Sequence, residues 1–101
     1  MTKIEAYTFY LCRRLTEITI PDSVTYIGNG AFYACNSLRK IVIPQSVTTV
    51  KKRVFERCSN LYIYCEAESK PEGWDEEWDI FDRYSDPVER CIVIWDYKGD
   101  N

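Results

Sequence analysis

The stretch ITIPDSVTYIGNGAF, residues Ile18–Phe32, returns as the similar stretch IVIPQSVTTVKKRVF at Ile41–Phe55, with some positions kept and others changed. Aligning residues 15–37 with residues 38–60 leaves nine of the 23 positions identical. A fixed period of about 20–50 residues is the signature of stacked structural repeats. The start of the chain joins the same register, because five residues lie one full period before their counterparts in the first full repeat: Met1, Ile4, Phe9, Tyr10 and Cys12.

The letters inside one repeat predict a short strand followed by a returning segment. Leu15, Ile18 and Ile20 give L-x-x-I-x-I, whose last positions alternate as those of a strand do. Pro21 ends the strand because proline cannot donate a hydrogen bond to a ladder. The residues predicted to return along the other side and point inward are Val24, Ile27, Ala31 and Phe32, with Cys35 closing the coil.

The positions that carry the same residues in each repeat predict the fold class, which is a β-rich solenoid with short parallel strands, one per 23-residue coil. A single coil cannot bury its apolar face alone, so each kept side chain is expected to stack on its equivalent in the next coil. Phe9, Phe32 and Phe55 are then predicted to form one continuous spine. The positions that differ between the repeats, including residues 28–30 and 51–53, are expected to face solvent.

The exact period stops after Cys65 and thereby predicts two regions. Residues 1–65 are assigned to repeat coils and residues 66–101 to a capping segment. The coils comprise a partial repeat at 1–14, full repeats at 15–37 and 38–60, and a terminal strand at 61–65.

The capping segment is predicted to contain a helical turn near Asp75–Phe81 and a final strand at Cys91–Tyr97. Three aromatic side chains are expected to cover the last apolar layer: Trp74, Trp78 and Phe81. The N-terminal coil shows no such cover, so the chain is expected to be the C-terminal part of a longer array. In isolation it is expected to self-associate through the uncovered N-terminal coil.

LTEITIPDSVTYIGNGAFYACNS, residues 15–37, resembles a unit of the BspA-type leucine-rich repeat family, L-x-x-I-x-I-P-x-S-V-T-x-I-G-x-x-A-F-x-x-C-x-x. The resemblance covers residues 1 to about 65, and IYCEAESKPEGWDEEW with VIWDYKG is similar to the segment that closes some of these arrays. It implies a right-handed superhelix of the α/β class. It also implies a secreted or surface-exposed microbial protein that serves in adhesion or protein recognition.

In leucine-rich repeats the outer surface of the sheet forms an extended binding face. Exposed tyrosines beside arginine are residue types that anchor protein interfaces. One predicted column is Thr16–Arg39–Tyr62, and ordinary surface is the alternative. The full set of candidate binding residues is Thr16, Glu17, Thr19, Arg39, Lys40, Val42, Tyr62 and Tyr64.

Cys12, Cys35 and Cys58 recur at the same place in each repeat and raise three alternatives. A ladder of buried free thiols is favoured, because this place in the repeat suits a small apolar residue. One disulfide and a metal site are the others, although no C-x-x-C pair supports zinc. Cys65 and Cys91 lie outside this column and are predicted to be core residues.

Charge is distributed unevenly, with a net +5 over residues 1–61 and −8 over residues 62–101. Carboxylates at Asp75, Glu77 and Asp79 could hold calcium, but an EF-hand loop needs a glycine where Ile80 stands. A solvated acidic surface is the preferred interpretation.

A basic patch is formed by KKRVFER at 51–57 with Arg13, Arg14, Arg39 and Lys40. It could contact nucleic acid or anionic glycans. The preferred interpretation is a solvated rim or a contact with an acidic neighbour, and no nucleic-acid partner is expected.

The chain has no histidine, which excludes Ser-His-Asp and Cys-His catalysis and His-ligated zinc. We predict a non-catalytic binding or adhesion module that needs no cofactor, with a host or microbial surface protein, or a glycan, as partner. A purely structural role as a C-terminal repeat and cap is the alternative. No apolar run approaches the roughly 20 residues that span a bilayer, and MTKIEAYTFYLCRRL shows no signal-peptide pattern.

Overall fold

A computed structural model describes residues 2–99 of the chain. Met1, which aligns with Val24, lies outside them. The described part contains nine short strands, with turns and bends between them, and no helix. The strands are β1 Lys3–Ile4, β2 Glu17–Thr19, β3 Tyr26–Ile27, β4 Lys40–Ile43, β5 Thr49–Val50, β6 Tyr62–Cys65, β7 Ile80–Asp82, β8 Glu89–Arg90 and β9 Ile92–Ile94.

A parallel sheet of four strands, in the order β2-β4-β6-β9, is built from the strand segment of each coil. Ile18 pairs with Ile41, Ile41 with Ile63, and Ile63 with Val93. Ile41 and Ile63 are buried, and their neighbours along each strand point the other way, as the two-residue alternation of a strand requires. The parallel arrangement expected from the repeat is present.

A second parallel sheet, in the order β1-β3-β5, runs along the returning segment of each coil. Tyr26 pairs with Thr49, and Ile27 pairs with Val50 at the next coil. The prediction of one strand per coil is therefore wrong, since each full repeat contributes two strands. The inward side chains predicted for this segment, Val24 and Ile27 among them, are fully buried.

The third side of each coil is irregular, yet it repeats with the same period. Backbone φ is positive at Tyr7, Gly30 and Arg53, at 60°, 58° and 55°. This left-handed region is strained for residues other than glycine, but hydrogen bonds between coils hold it here. The Gly30 N–H donates to the Lys52 carbonyl at 3.1 Å, and the Phe32 N–H donates to the Val54 carbonyl at 2.9 Å.

Gly28 and Gly30, at positions that differ between the repeats, are buried. This corrects the expectation that residues 28–30 face solvent. At Gly28 a Cβ atom would stand 2.5 Å from the Ala6 backbone nitrogen. Glycine is needed there because the neighbouring coil approaches too closely for any side chain.

The phenylalanine spine is present. The rings of Phe9 and Phe32 stack with centroids 5.1 Å apart, and those of Phe32 and Phe55 stack at 5.4 Å, with interplanar angles of 9° and 10°. Phe32 and Phe55 are fully buried, whereas Phe9 is partly buried at the end of the stack. The inward side chains therefore line up from coil to coil.

The chain makes one more coil after Cys65, with altered spacing. Trp74 bridges to Val50 at nearly the spacing of the repeat, whereas Ile92 pairs with Tyr62 across a longer stretch of chain. The coil is thus seven residues longer than the 23-residue repeat, and it contains the antiparallel pair of β7 and β8. The predicted final strand exists but is shorter than Cys91–Tyr97.

Tryptophans close this coil. Trp78 occupies the place of Phe55 one period later and meets its ring edge-on at 6.4 Å, and Trp74 packs against Trp78 at 4.8 Å. The indole N–H of Trp74 donates to the Val47 carbonyl at 3.2 Å. Both tryptophans are buried and cover the last layer as predicted. The third aromatic packed with them is Trp95, at 5.7 Å from Trp74, rather than the predicted Phe81.

The predicted helical turn near Asp75–Phe81 is wrong. The Trp78 N–H donates to the Asp75 carbonyl at 3.0 Å, which closes a single turn, and the chain then enters β7 at Ile80. The segment cannot continue as a helix because Arg53 and Arg57 of the preceding coil donate their backbone N–H groups to the carbonyls of Glu77 and Phe81.

Candidate functional site

The outward side chains of the four-stranded sheet form one continuous surface, which we call the outer sheet face. It has two columns of paired residues. One column is Glu17, Lys40, Tyr62 and Ile92, and the other is Thr19, Val42, Tyr64 and Ile94. The face changes across the sheet from polar at β2 to apolar at β9.

The structure corrects one predicted column. Tyr62 pairs with Lys40 and not with Arg39, because the step from β4 to β6 is one residue shorter than the repeat. Thr16 and Arg39 instead lie just before their strands, where the Arg39 N–H donates to the Thr16 carbonyl at 3.2 Å. Both are exposed at the rim of the outer sheet face.

An open hollow of about 430 Å³ lies along β2 and β4. Six of the eight predicted binding residues line it, and Tyr62 and Tyr64 continue the same face on β6. The hollow's predicted lining residues are Thr16, Glu17, Thr19, Arg39, Lys40 and Val42. The sequence thus identified residues that the fold brings together.

Lys40 lies among aromatic rings at the centre of this face. Its Nζ is 5.1 Å from the ring centroid of Tyr64 and 5.5 Å from that of Tyr97. The two rings pack together at 4.9 Å. Such cation–π contacts restrain a long side chain that would otherwise be mobile. The lysine is therefore held in place on the face before any partner arrives.

Sequence reasoning missed Ile92, Ile94 and Tyr97 as parts of this surface. Ile92 is 52% exposed and Tyr62 is 46% exposed, so the two form an apolar area at the β9 side. The alternation in CIVIWDY predicted the strand, but it did not predict that the strand pairs with β6. Tyr26 does not belong to this face: it lies on β3 of the other sheet, where Lys3 Nζ is 5.4 Å from its ring centroid.

The basic patch meets the acidic final coil. Arg53 pairs with Glu77 at 3.1 Å, and Arg57 pairs with Asp82 at 3.5 Å. Exposed pairs of this kind stabilise a fold by only about 0–1 kcal/mol each. They nevertheless give a physical reason for the opposite charges of the two halves of the chain.

The carboxylates proposed as calcium ligands are directed to other partners. Asp75 accepts a hydrogen bond from the Glu77 N–H at 2.9 Å, and Glu77 pairs with Arg53. Asp79 pairs with Arg90. Among residues 2–99, no group of three or more carboxylate or thiol side chains is placed to hold a metal ion.

The cysteine column contains free thiols, and Cys91 belongs to it. Cys35, Cys58 and Cys91 each direct Sγ to a phenylalanine carbonyl one coil earlier, at Phe9, Phe32 and Phe55, over 3.1, 2.9 and 3.8 Å. The expectation that Cys91 lies outside the column is therefore wrong. Because the final coil contains extra residues, Cys91 comes later in the sequence than the repeat predicts. It still occupies the same place in its coil as Cys35 and Cys58 do.

Three of the thiols, those of Cys58, Cys65 and Cys91, are held in their protonated form, whereas the hydrogen bond with Cys58 lowers the pKa of Cys35. Burial, with the nearby Asp79 carboxylate, raises the pKa of Cys65 and of Cys91 to about 12. A hydrogen bond with Cys35, together with burial, raises the pKa of Cys58 as well. Because the thiolate is the nucleophile, these groups are poor candidates for covalent chemistry.

These raised pKa values predict that the protein loses stability at alkaline pH. Above about pH 9 the unfolded chain releases thiol protons that the folded chain retains, so the unfolding free energy falls as pH rises towards 12. Urea unfolding at pH 8 and pH 10.5 measures this change. Cys65→Ala should reduce the pH dependence, and an unaltered dependence would contradict the assignment.

The repeated sequence, the two parallel sheets and the aligned spine agree with a family comparison. The profile described as the BspA type leucine rich repeat region (6 copies) matches residues 1–70. The chain belongs to the BspA-type leucine-rich repeat family. No curated protein and no solved structure matches it in the corresponding comparisons.

The residues that match the family model include the first residues of the final coil and end at residue 70. The tryptophan layer, the β7–β8 pair and β9 lie beyond the matched residues. Repeats of the BspA-type family serve in protein interaction or as structural units, and the residues above show where each role would be located in this chain. In the part of the chain that the structure describes, no helix is long and apolar enough to cross a membrane.

Proposed function

We propose that this chain is a non-catalytic protein-binding module of the adhesion type, and that the outer sheet face contacts the partner. The observation that carries the proposal is the ordered set of Lys40, Tyr64 and Tyr97 beside exposed Tyr62 and Ile92. We further propose that the coils wind as the right-handed superhelical solenoid of the α/β leucine-rich repeat class.

The chemistry of the face supports protein recognition. Interface hot spots are enriched in tyrosine and arginine, and they lie in apolar surroundings bordered by polar residues. Tyr62 and Ile92 supply the apolar part, while Glu17, Thr16 and Arg39 supply the polar rim. Rigid sheet backbone beneath these side chains lowers the entropic cost of binding.

Family membership supports a secreted or surface location as part of the same proposal. The fold itself does not depend on disulfide bonds, because the five cysteines are free thiols. Stacked apolar side chains and backbone hydrogen bonds hold it together. The face would then be available to proteins outside the cell, such as surface proteins of a host or of another microbe.

A structural role is the second candidate, and the final coil favours it. Trp74 and Trp78 cover the last apolar layer, and the acidic coil pairs with Arg53 and Arg57 of the previous one. A segment whose only task is to close an array needs these features and no binding face. The two candidates therefore differ in whether the outer sheet face matters for anything except folding.

A cross-linking experiment followed by affinity measurement tests the proposal. A photo-reactive amino acid replaces Tyr62 in one variant and exposed Thr48, just before β5 of the other sheet, in a matched control. We expect a partner protein to be captured through position 62 alone. Its affinity should then fall about tenfold or more in Tyr62→Ala and Lys40→Ala, as is usual for hot spots, and stay unchanged in Thr48→Ala.

Two outcomes would refute the binding face. One is an affinity that Tyr62→Ala and Lys40→Ala leave unchanged. The other is capture of the partner through position 48. Circular dichroism of each variant shows that the fold is retained, so that lost binding is not lost structure.

A further inference from the structure

A pocket of about 250 Å³ opens on the irregular third side of the coils, away from the outer sheet face. Its walls combine three tyrosines with ionisable groups. The residues that matter for its chemistry are Tyr7, Tyr10, Tyr33, Arg53, Glu56 and Arg83. The volume is near the lower end of small-ligand sites, which begin at about 300 Å³.

The pocket arises where two columns of the repeat are interrupted. Tyr10 and Tyr33 stack one coil apart, with ring centroids at 5.3 Å, and the next residue in this column is Glu56. The adjacent column runs Tyr7, Gly30 and Arg53, whose backbones share the same conformation. The Tyr7 ring packs directly over Gly30, where a Cβ atom would stand 2.6 Å from it. Glu56 takes the place that a tyrosine ring has in the two earlier coils, and the pocket opens beside these residues.

Glu56 is the buried charged residue of the described chain, with its side chain 2% exposed. Its Oε2 accepts a hydrogen bond from the Arg83 N–H at 3.2 Å and lies 3.5 Å from Arg83 Nε. Its Oε1 has no hydrogen-bond partner within residues 2–99. A buried carboxylate oxygen without a donor is costly, so the site is suited to a ligand that supplies one.

Arg83 lies between β7 and β8, in the stretch that makes the final coil longer than the repeat. The regular 23-residue repeat has no segment at this place, and here the turn after β7 folds over Glu56. The departure from the repeat therefore both buries the carboxylate and completes the wall of the pocket.

The charges around the pocket restrict the ligand. A cationic ligand would meet Arg83 and Arg53, and exposed Lys52 stands at the rim. A simple anion would meet the Glu56 carboxylate. A neutral molecule with hydroxyl donors avoids both repulsions, and its C–H groups can pack on the negative faces of tyrosine rings.

We propose that this pocket binds the ring of a neutral saccharide. One sugar hydroxyl donates to Glu56 Oε1, and the ring packs against Tyr10 and Tyr33. Because Oε1 is enclosed, the hydroxyl reaches it as the ring of Tyr7, which is 59% exposed, moves aside. The site is separate from the protein-binding face.

Three methyl glycosides, of glucose, galactose and mannose, serve as probes in saturation-transfer NMR and calorimetric titration of the full chain. We expect at least one to bind. Glu56→Gln keeps the shape of the side chain. Its amide oxygen should face the Arg83 N–H, so that its NH₂ group takes the place of Oε1. A donor then replaces the acceptor, and affinity should fall about tenfold or more.

Matched variants keep the test decisive. Tyr10→Ala should likewise lower affinity about tenfold or more, and it provides a second test if Glu56→Gln does not fold. Thr48→Ala, at an exposed residue outside the pocket lining, should bind normally. Tyr62→Ala should bind glycosides normally too, which separates this site from the outer sheet face.

The proposal is overturned if none of the three glycosides binds. It is also overturned if binding is unaffected by both Glu56→Gln and Tyr10→Ala. Binding of choline in preference to the glycosides would show that the pocket is instead an aromatic site for cations.

Discussion

Phe32→Ala is expected to lower the free energy of unfolding by about 3–5 kcal/mol, the range for a large buried aromatic side chain. Phe32 is fully buried and stacks on both Phe9 and Phe55. Its removal leaves a cavity between two coils whose backbones are held apart by other ladders, so the site cannot collapse. Since small domains have only about 5–15 kcal/mol of stability, this loss is a large share of the total.

Phe9→Ala is the matched control, because Phe9 contacts one spine ring and is partly buried. Urea denaturation followed by circular dichroism should give a clearly smaller loss for it. Equal losses at Phe9 and Phe32 would contradict the view that stacking between coils supplies the stability of the spine.

Trp78→Ala is expected to have an effect of similar size, about 3–5 kcal/mol. Trp78 is 2% exposed and contacts Phe55, Trp74 and Trp95. Without it the final coil loses the centre of its apolar layer, and Phe55 becomes the exposed end of the spine. We also expect stronger binding of a hydrophobic dye as that layer opens.

Trp95→Ala provides the comparison for this prediction. Trp95 packs on the same cluster but is only partly buried, so its loss should cost less. If Trp78→Ala proved as stable as the parent chain, the final coil would be a loosely attached segment and not part of the folded stack.

The regular coils were predictable because stacking forces equivalent residues into equivalent surroundings. Identical letters at positions such as Ile18 and Ile41 mean identical inward places, so the strands, the spine and the buried return segment follow from the spacing alone. The second sheet was missed since Tyr26–Ile27 is too short to show alternation.

The final coil was harder to predict because residues that occupy equivalent places in successive coils are no longer 23 positions apart in the sequence. A shift of one residue moved Tyr62 from Arg39 to Lys40, and the insertion hid the equivalence of Cys91 with Cys58. Such changes leave no mark in a search for a fixed period. They become visible only when backbone pairing is known.

The candidate sites show the same contrast between the regular coils, which were predictable, and the final coil, which was not. The residues on β2 and β4 of the outer sheet face were identified from the positions that the repeat leaves free. Ile92 and Tyr97 were not, because their neighbours are distant in the chain. The Glu56 pocket was invisible to sequence reasoning, since its carboxylate is buried by a turn that the repeat does not contain.

The hydrogen bonds between coils also determine how the molecule would bear a mechanical load. On all three sides they join one coil to the next, as in Ile4–Ile27, Ile41–Ile63 and Phe32–Val54. They therefore point along the stacking direction. Tension applied to the two ends would peel coils away singly, and the protein would yield by lengthening in steps before any abrupt rupture.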